Sequence, residues 1–316
     1  MKSSVRHLTA LGLLGAVLVG CGREAVETAP VARAEKTTGT AAPAAHGTAT
    51  PPDPARGPAA PPTMAPGPGG RTPVYTHRTR TAGGATAKDA EKGAGKGSQK
   101  AAEKAAEKVV ALTFDADMTA DQGPRAAQGE RFDNPQLIET LRRLGVDATV
   151  FMTGRWAEEY PDQAKSIGGD PRFEIANHSY SHYAFASPCY GLPTVAGPDM
   201  AEDVQRAFTS FRDAGAVNVV PYFRFPGGCY DDAALRALAP TGVTAVQWDV
   251  VSGDAFAKDP DAVAEQVLDG VRPGSLVVMH CTRSAAPVTE EAVRRIVPEL
   301  RARGYRFVKV SELMRG

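Results

Sequence analysis

From Val109 onward, apolar residues come in short runs that alternate with amphipathic stretches. The runs Val109–Phe114, Ala148–Met152, Phe173–Ala176, Val219–Phe223, Thr244–Trp248, Ser275–Met279 and Tyr305–Val310 are too short for helices and read as strands. Between most of them, apolar positions at the helical period predict helices over Pro135–Leu144, Trp156–Ser166, Met200–Ala214, Asp232–Leu238, Asp261–Leu268 and Thr289–Arg303. Asp199 and Asp259 stand near helix starts, and Gly145, Gly270 and Gly304 near helix ends, as capping chemistry prefers. Alternating strand and helix argues for an α/β fold, a parallel sheet with helices outside it. Seven strands suit an open sheet or a barrel.

The first third of the chain lacks this pattern. Residues 1–20 read as an export signal, with Lys2 and Arg6 as the positive start and Leu8 to Gly20 as an apolar core too short to span a bilayer. The core ends in Leu18-Val19-Gly20-Cys21, which resembles a bacterial lipobox. That resemblance implies a lipoprotein, anchored through Cys21 to the outer face of the cell membrane. Residues 21–108 are dominated by Ala, Pro, Gly, Thr and Lys; PPDPARGPAAPPTMAPGPGG has too few large apolar side chains to offset chain entropy. A disordered tether is expected there, leading into a folded domain over 109–316. Within the tether Lys88, Lys92, Lys96, Lys100, Lys104 and Lys108 recur every four residues, as a solvated helical spacer or a contact with anionic wall polymer.

Charge excludes one class of function. The 36 basic and 36 acidic residues cancel, which gives no electrostatic argument for a nucleic-acid binder. Histidine points to another. Of six in the chain, the three in the folded part are His178, His182 and His280, and all fall just past predicted strands. Parallel α/β folds gather their chemistry at that edge. Asp115 and Asp117 follow the first run there, Arg224 the fourth, and Asp249 and Asp254 the fifth.

His178 and His182 lie four apart, so on a helical turn they share a face and can grip one metal ion; a carboxylate from Asp115 or Asp117 would complete a His₂-carboxylate site. A calcium loop starting at Asp115 fails, because its sixth and twelfth positions are Ala120 and Ala126 instead of Gly and Glu. A G-x-S-x-G nucleophile elbow and a Rossmann G-x-G-x-x-G are both absent. The first strand is expected to end before Asp115. Alternation would then leave the two acids' directions open, and Ala116 would allow Asp117 to swing toward His178 and His182.

VALTFDAD, NHSYSH, FRFPGG, WDVVSGD and SLVVMH, in this order, resemble the five motifs of the polysaccharide deacetylases, carbohydrate esterase family 4 with its NodB-homology domain. LRRLGVDATVFMTGRWAEEYP and ELRARGYRFVKVSEL resemble the family's connecting segments, so the likeness covers roughly 109–316. It implies a distorted (β/α) barrel of about seven parallel strands and metal-dependent removal of N-acetyl groups from a glycan. It also implies roles for single residues. Asp115 matches the general base and Arg224 the arginine that orients it. His178 and His182 match metal ligands. The family's third ligand falls at Ala116, so Asp117, one position on, is expected to take its place; the ion is divalent, zinc first. The backbone N–H of Gly227, where the family usually has tyrosine, would face the oxyanion, and Leu276 would line the acetyl pocket. His280 matches the general acid and Asp254 its partner. The chain departs from the family pattern at Ala116, where the second acid is usual, at Val251, at Ala255 in place of tryptophan, and at Cys281 in place of aspartate.

Besides Cys21 the chain has Cys189, Cys229 and Cys281, which in an exported domain suggests one disulfide and one free thiol. Cys229 and Cys281 both follow strand-end motifs and can pair, with Cys189 as the rival partner. The partners expected are a cell-wall polysaccharide, peptidoglycan first, and the membrane through the lipid anchor, for a monomeric enzyme. Chitin-type oligomers, O-acetylated polysaccharide and a non-catalytic glycan-binding lipoprotein are the alternatives.

Overall fold

The computed structural model describes residues 60–78 and 107–316. The signal segment 1–20, Cys21 and most of the tether, with the lysine comb up to Lys104, lie outside the described residues. Among the described residues nine strands form one parallel sheet: β1 Val74–Tyr75, β2 Val109–Ala116, β3 Ala148–Met152, β4 Phe173–Asn177, β5 Val219–Phe223, β6 Thr244–Val246, β7 Val250–Val251, β8 Ser275–His280 and β9 Arg306–Phe307. Their order is β1-β6-β5-β4-β3-β2-β8-β7, with β9 paired to the start of β2.

This order forces the sheet to curl. In a flat sheet β6 and β7 would lie six strand spacings, about 29 Å, apart. Only Gln247, Trp248 and Asp249 join them in the chain, a reach of about 14 Å. The structure is therefore a distorted (β/α) half-barrel with helices around it, as the alternation of elements and the motifs imply. The crossing segment is fastened by Asp249, whose carboxylate accepts from Ser275 Oγ at 2.8 Å and Leu276 N at 2.6 Å. Asp249 thus serves the frame and not the mouth.

Side chains alternate across the strands. Val110, Leu112, Phe114 and Ala116 of β2 face the helices and join the large outer core. Val109 and Ala111 face the barrel interior with Phe151, Ala176, Tyr222, Val246 and Leu276. The helices keep their expected places with local adjustments. Trp156–Ser166 is two helices, Gly154–Glu159 and Pro161–Gly168, because Pro161 starts the second. Asp259 caps its helix through Asp261 N and Ala262 N, and Gly145 closes another at φ 61°. The run Tyr305–Val310 is strand only at Arg306–Phe307, and Val310 opens a short helix to Arg315.

The tether expectation needs correction over residues 60–78. This segment packs on the sheet as part of the domain. Ala245 N donates to Pro73 O at 2.9 Å, Gln247 N to Tyr75 O at 2.8 Å, and Arg78 N to Gly274 O at 3.0 Å. It therefore pairs with the β6 edge at Val74–Tyr75 and reaches the foot of β8 at Arg78. Tyr222 Oη also donates to Pro62 O at 2.8 Å, and Met64 N to Thr244 Oγ1 at 3.0 Å. A chain beginning at Ala59 should keep full stability. One beginning at Thr79 should lose about 2–4 kcal/mol in urea unfolding, for the strap's several hydrogen bonds. Equal stability of the two would show that the strap is dispensable.

Candidate active site

The alternation that fills the barrel also builds its mouth. On β2 the inward series Val109, Ala111, Thr113 ends in Asp115, still within the strand and paired with His280 of β8 and Phe151 of β3. The strand runs on through Ala116, two residues further than expected, so direction is fixed after all. Ala116 is fully buried on the helix side, and Asp117 returns to the mouth on the same side as Asp115. On β8 the inward series is Leu276, Val278, His280, and beyond it Thr282. Thr282 Oγ1 donates to Asp117 Oδ1 at 3.0 Å and accepts from Asp117 N at 3.3 Å.

Asp115 is buried and meets a buried cation. Arg224 Nη1 donates to Asp115 Oδ1 at 2.6 Å, with Arg224 fully inaccessible. The guanidinium lies 3.8 Å from the Phe151 ring centre and 5.4 Å from that of Trp248, and its Nε donates to Val246 O. Its Nη2 has no hydrogen-bond partner. Burial lowers the Arg224 pKa, yet an arginine remains charged at any pH of interest. Asp115 Oδ2 is left facing His178 Nε2 at 3.7 Å, beyond hydrogen-bond range.

The segment after β4 is not the helical turn that the four-residue spacing suggested. Ser179 and His182 have φ of 71° and 57°, and the turn is tied by Ser179 N to Asn177 Oδ1, Tyr180 N to Asp203 Oδ1 and His182 N to Ser179 Oγ. The two imidazoles nevertheless lie side by side, with ring centres 5.1 Å apart. His178 Nδ1 is engaged by Arg224 O at 2.9 Å, which leaves Nε2 as its free nitrogen. His182 Nε2 stands 4.0 Å from Asp117 Oδ2.

Proton states divide the site. Burial lowers the pKa of His178, and that of His182 to about 4, against the pull of Asp115 and Asp117. Both are neutral at pH 7. His280 goes the other way. Burial lowers it, but the hydrogen bond and charge of Asp254, with Asp117 and Asp115 behind them, raise it to about 10. Asp254 Oδ1 accepts from His280 Nδ1 at 2.8 Å and from Ser252 Oγ at 2.8 Å; its Oδ2 accepts from His280 N and Thr289 Oγ1, each at 2.7 Å. These bonds hold Asp254 below the carboxylate range although burial opposes it. Asp117 is also held low: burial raises it, but the imidazoles of His182, His280 and His178 and the Thr282 hydroxyl outweigh that. With His178 and His182 neutral, the standing positive charge among them is His280.

Two neutral imidazoles and an ionised carboxylate suit a divalent cation in kind. Among the described residues, however, no group of three or more His, Cys, Asp or Glu side chains is gathered as a metal cage. Two other expectations change. Leu276 is fully buried in the barrel interior, four residues below His280, and Val278 is the inward residue next beneath it. A period of two counted back from His280 would have found it. The disulfide joins Cys189 to Cys229, while Cys281 is a buried free thiol in the outer core, its pKa pushed up to about 12 by burial. Gly227 sits in the Pro226–Gly228 turn at φ 63°, three residues beyond Arg224.

The family model for polysaccharide deacetylase matches residues 102–246, a span that holds Asp115, His178, His182, Arg224 and Gly227. Residues 102–246 thus carry the sequence signature of a polysaccharide deacetylase domain. Asp254 and His280 lie past the end of that match, and the fold adds them to the same mouth. A chitooligosaccharide deacetylase of Azorhizobium caulinodans is 28% identical over 199 residues, which cover 60% of this chain and 89% of that protein. A peptidoglycan-N-acetylglucosamine deacetylase of Bacillus cereus is 29% identical over 210 residues, 66% of this chain and 88% of that one. Among solved structures, a carbohydrate esterase family 4 pseudoenzyme from Bacillus anthracis superposes with a TM-score of 0.53 at 26% identity, over 66% of each chain. A mutant of that pseudoenzyme has restored enzymatic activity.

The deacetylase mouth yields a direct test of its electrostatics. In a metal-free sample, the His280 imidazole followed by NMR should titrate near pH 10. In Asp254→Asn it should fall toward the ordinary histidine range, since the neutral amide removes the charge that favours imidazolium. A His280 that titrates near 6.5 in the wild type would contradict the arrangement described.

Proposed function

We propose that this chain is a metal-dependent hydrolase that removes N-acetyl groups from a cell-wall glycan, N-acetylglucosamine-type residues of peptidoglycan first. The observation that carries the reading is one register pair. Asp115 and His280 stand opposite each other on neighbouring strands, facing the same mouth, one a carboxylate and the other an imidazolium. Amide hydrolysis needs a base for the attacking water and an acid for the nitrogen that leaves, and a binding protein needs neither.

In this mechanism Asp115, fixed through Oδ1 by Arg224, takes the water's proton on Oδ2. The Gly227 N–H faces the oxygen that gains charge as the acetyl carbon becomes tetrahedral. His280, its Nδ1 held by Asp254, presents Nε2 and gives its proton to the departing amine. Val278 closes the acetyl side of the mouth in place of Leu276. His178, His182 and Asp117 would hold the divalent cation, zinc first. When bound, that cation would supply Lewis acidity toward the acetyl carbonyl and the attacking water.

The peptidoglycan assignment draws on the Bacillus cereus relative and on the expected position at the outer face of the membrane. The Azorhizobium relative supports chitin-type oligomers as the runner-up. A second reading has its own observation. The acid usual at position 116 is alanine, no closed metal cage is present among the described residues, and the fold is shared with a pseudoenzyme. On that reading the chain binds glycan without turning it over.

Metal content and acetate release from peptidoglycan and N-acetylglucosamine oligomers separate the two. Asp115→Asn should keep the metal and lose most of the rate, and His280→Ala should keep it while turnover falls about 10²–10⁴-fold. Asp117→Asn should weaken metal affinity and be partly rescued by excess metal. A wild-type chain that releases no acetate with metal bound would favour the binding protein.

We also propose that Cys21 is lipidated and holds the enzyme at the outer face of the membrane, beside the wall. Cys21→Ala should move the protein from the membrane fraction to the soluble one, and unchanged association would refute the anchor.

A further inference from the structure

The loop from His182 to the helix Met200–Asp213 carries nothing that the proposed chemistry uses, yet it is fastened to the site at both ends. It leaves directly from His182. The Cys189–Cys229 disulfide then staples it to the Pro226–Gly228 turn that follows Arg224. Its base is closed by Ala184 N to Pro193 O at 2.8 Å and Val195 N to Ala184 O at 2.9 Å.

Next to the staple stands Tyr190, with 89% of its surface exposed. Its backbone is left-handed at φ 44°, a conformation that a bulky side chain adopts only when its surroundings impose it. Burial does not offset that strain. Among the described residues four non-glycine residues have positive φ: Ser179, His182, Tyr190 and Phe256. Two of these form the histidine turn of the site itself, and strain of this kind clusters at ligand clamps. The ring also lies against Gly227. A Cβ on Gly227 would stand 3.2 Å from Tyr190 Cδ2 and 2.7 Å from Cys189 Sγ. Only a glycine admits both the sulfur and the ring there, so the bare position and the clamped loop are one device.

We propose that Tyr190 is a platform on which a sugar ring adjoining the reacting residue stacks, held beside the mouth by the disulfide. The inference rests on the reading of this protein as a glycan deacetylase. An exposed aromatic face suits the C–H face of a pyranose, which is apolar across a ring otherwise fringed by hydroxyls. The disulfide keeps the loop from collapsing, so the platform is preorganised before the glycan arrives. Tyr190 touches no reacting atom. It is a positioning residue, and it sets a preference for chains over single sugars.

The test pairs kinetics with binding of an N-acetylglucosamine tetramer, the binding measured in an Asp115→Asn background that does not turn the ligand over. Tyr190→Ala should raise both KM and Kd about tenfold while kcat changes less than about threefold. Tyr190→Phe should restore both, and Cys189→Ser with Cys229→Ser should reproduce Tyr190→Ala. Tetramer binding that is unchanged in Tyr190→Ala overturns the platform and leaves the deacetylase reading intact. Binding that is lost in Tyr190→Ala, in a wild type that releases no acetate, supports the platform and overturns that reading. A wild type that binds no tetramer overturns the platform whatever it does to other acetylated substrates.

Discussion

The buried pair between Arg224 and Asp115 is the constraint around which the mouth is arranged. Two strands separate β5 from β2 in the sheet, yet the guanidinium and the carboxylate meet at 2.6 Å, so the pair holds only while the sheet stays curled. Neither charge has water to fall back on, and loss of one would strand the other in a low dielectric. The pair also sets what lies next to it. Arg224 offers its backbone carbonyl to His178 Nδ1, which aims the other nitrogen of that ring at Asp115. Phe151 and Trp248 pack against the guanidinium and screen it from the interior. One residue therefore fixes the orientation of the proposed base and of a proposed ligand.

Around that pair the protein separates proton states over a few ångströms. His178 and His182 lose their charge to burial, whereas His280 keeps its proton because Asp254 is itself held by Ser252 and Thr289. Three imidazoles in one mouth thus carry two different states at neutral pH. The difference arises from partners and not from position, since burial pushes all three the same way.

Most of the framework was legible because it is written in side chains. Runs such as Ala148–Met152 and Val219–Phe223 are apolar but for Thr149, and the structure places strands there. Helix ends at Gly145 and Asp259 follow from capping chemistry. The strap 60–78 was invisible because it holds on mainly by backbone hydrogen bonds, which leave little trace in composition, and its strand is two residues long. The disulfide was undetermined for a related reason. Cys281 follows a strand-end motif as Cys229 does, but strand alternation turns it into the outer core, away from the mouth. Tyr190 carried no signal, since an aromatic residue in a loop is ordinary until its strain and exposure are known.

The two carboxylates one residue apart show how far a simple period reaches. On a strand, a shift of one position is a change of face. Because β2 continues through Ala116, an acid there would extend toward the helix layer, where Ala116 is packed among apolar side chains. The acid at 117 resumes the inward series instead. Its neighbour across the ladder is Thr282, two beyond His280 just as Asp117 is two beyond Asp115, and the hydroxyl holds it in place. Cys281, where an aspartate is usual in the family, falls on the apolar face in the same register. The departures at 116 and 281 are therefore coupled. Both outward positions are apolar, both following residues are polar and bonded to each other, and the mouth regains an acid one step further along the chain.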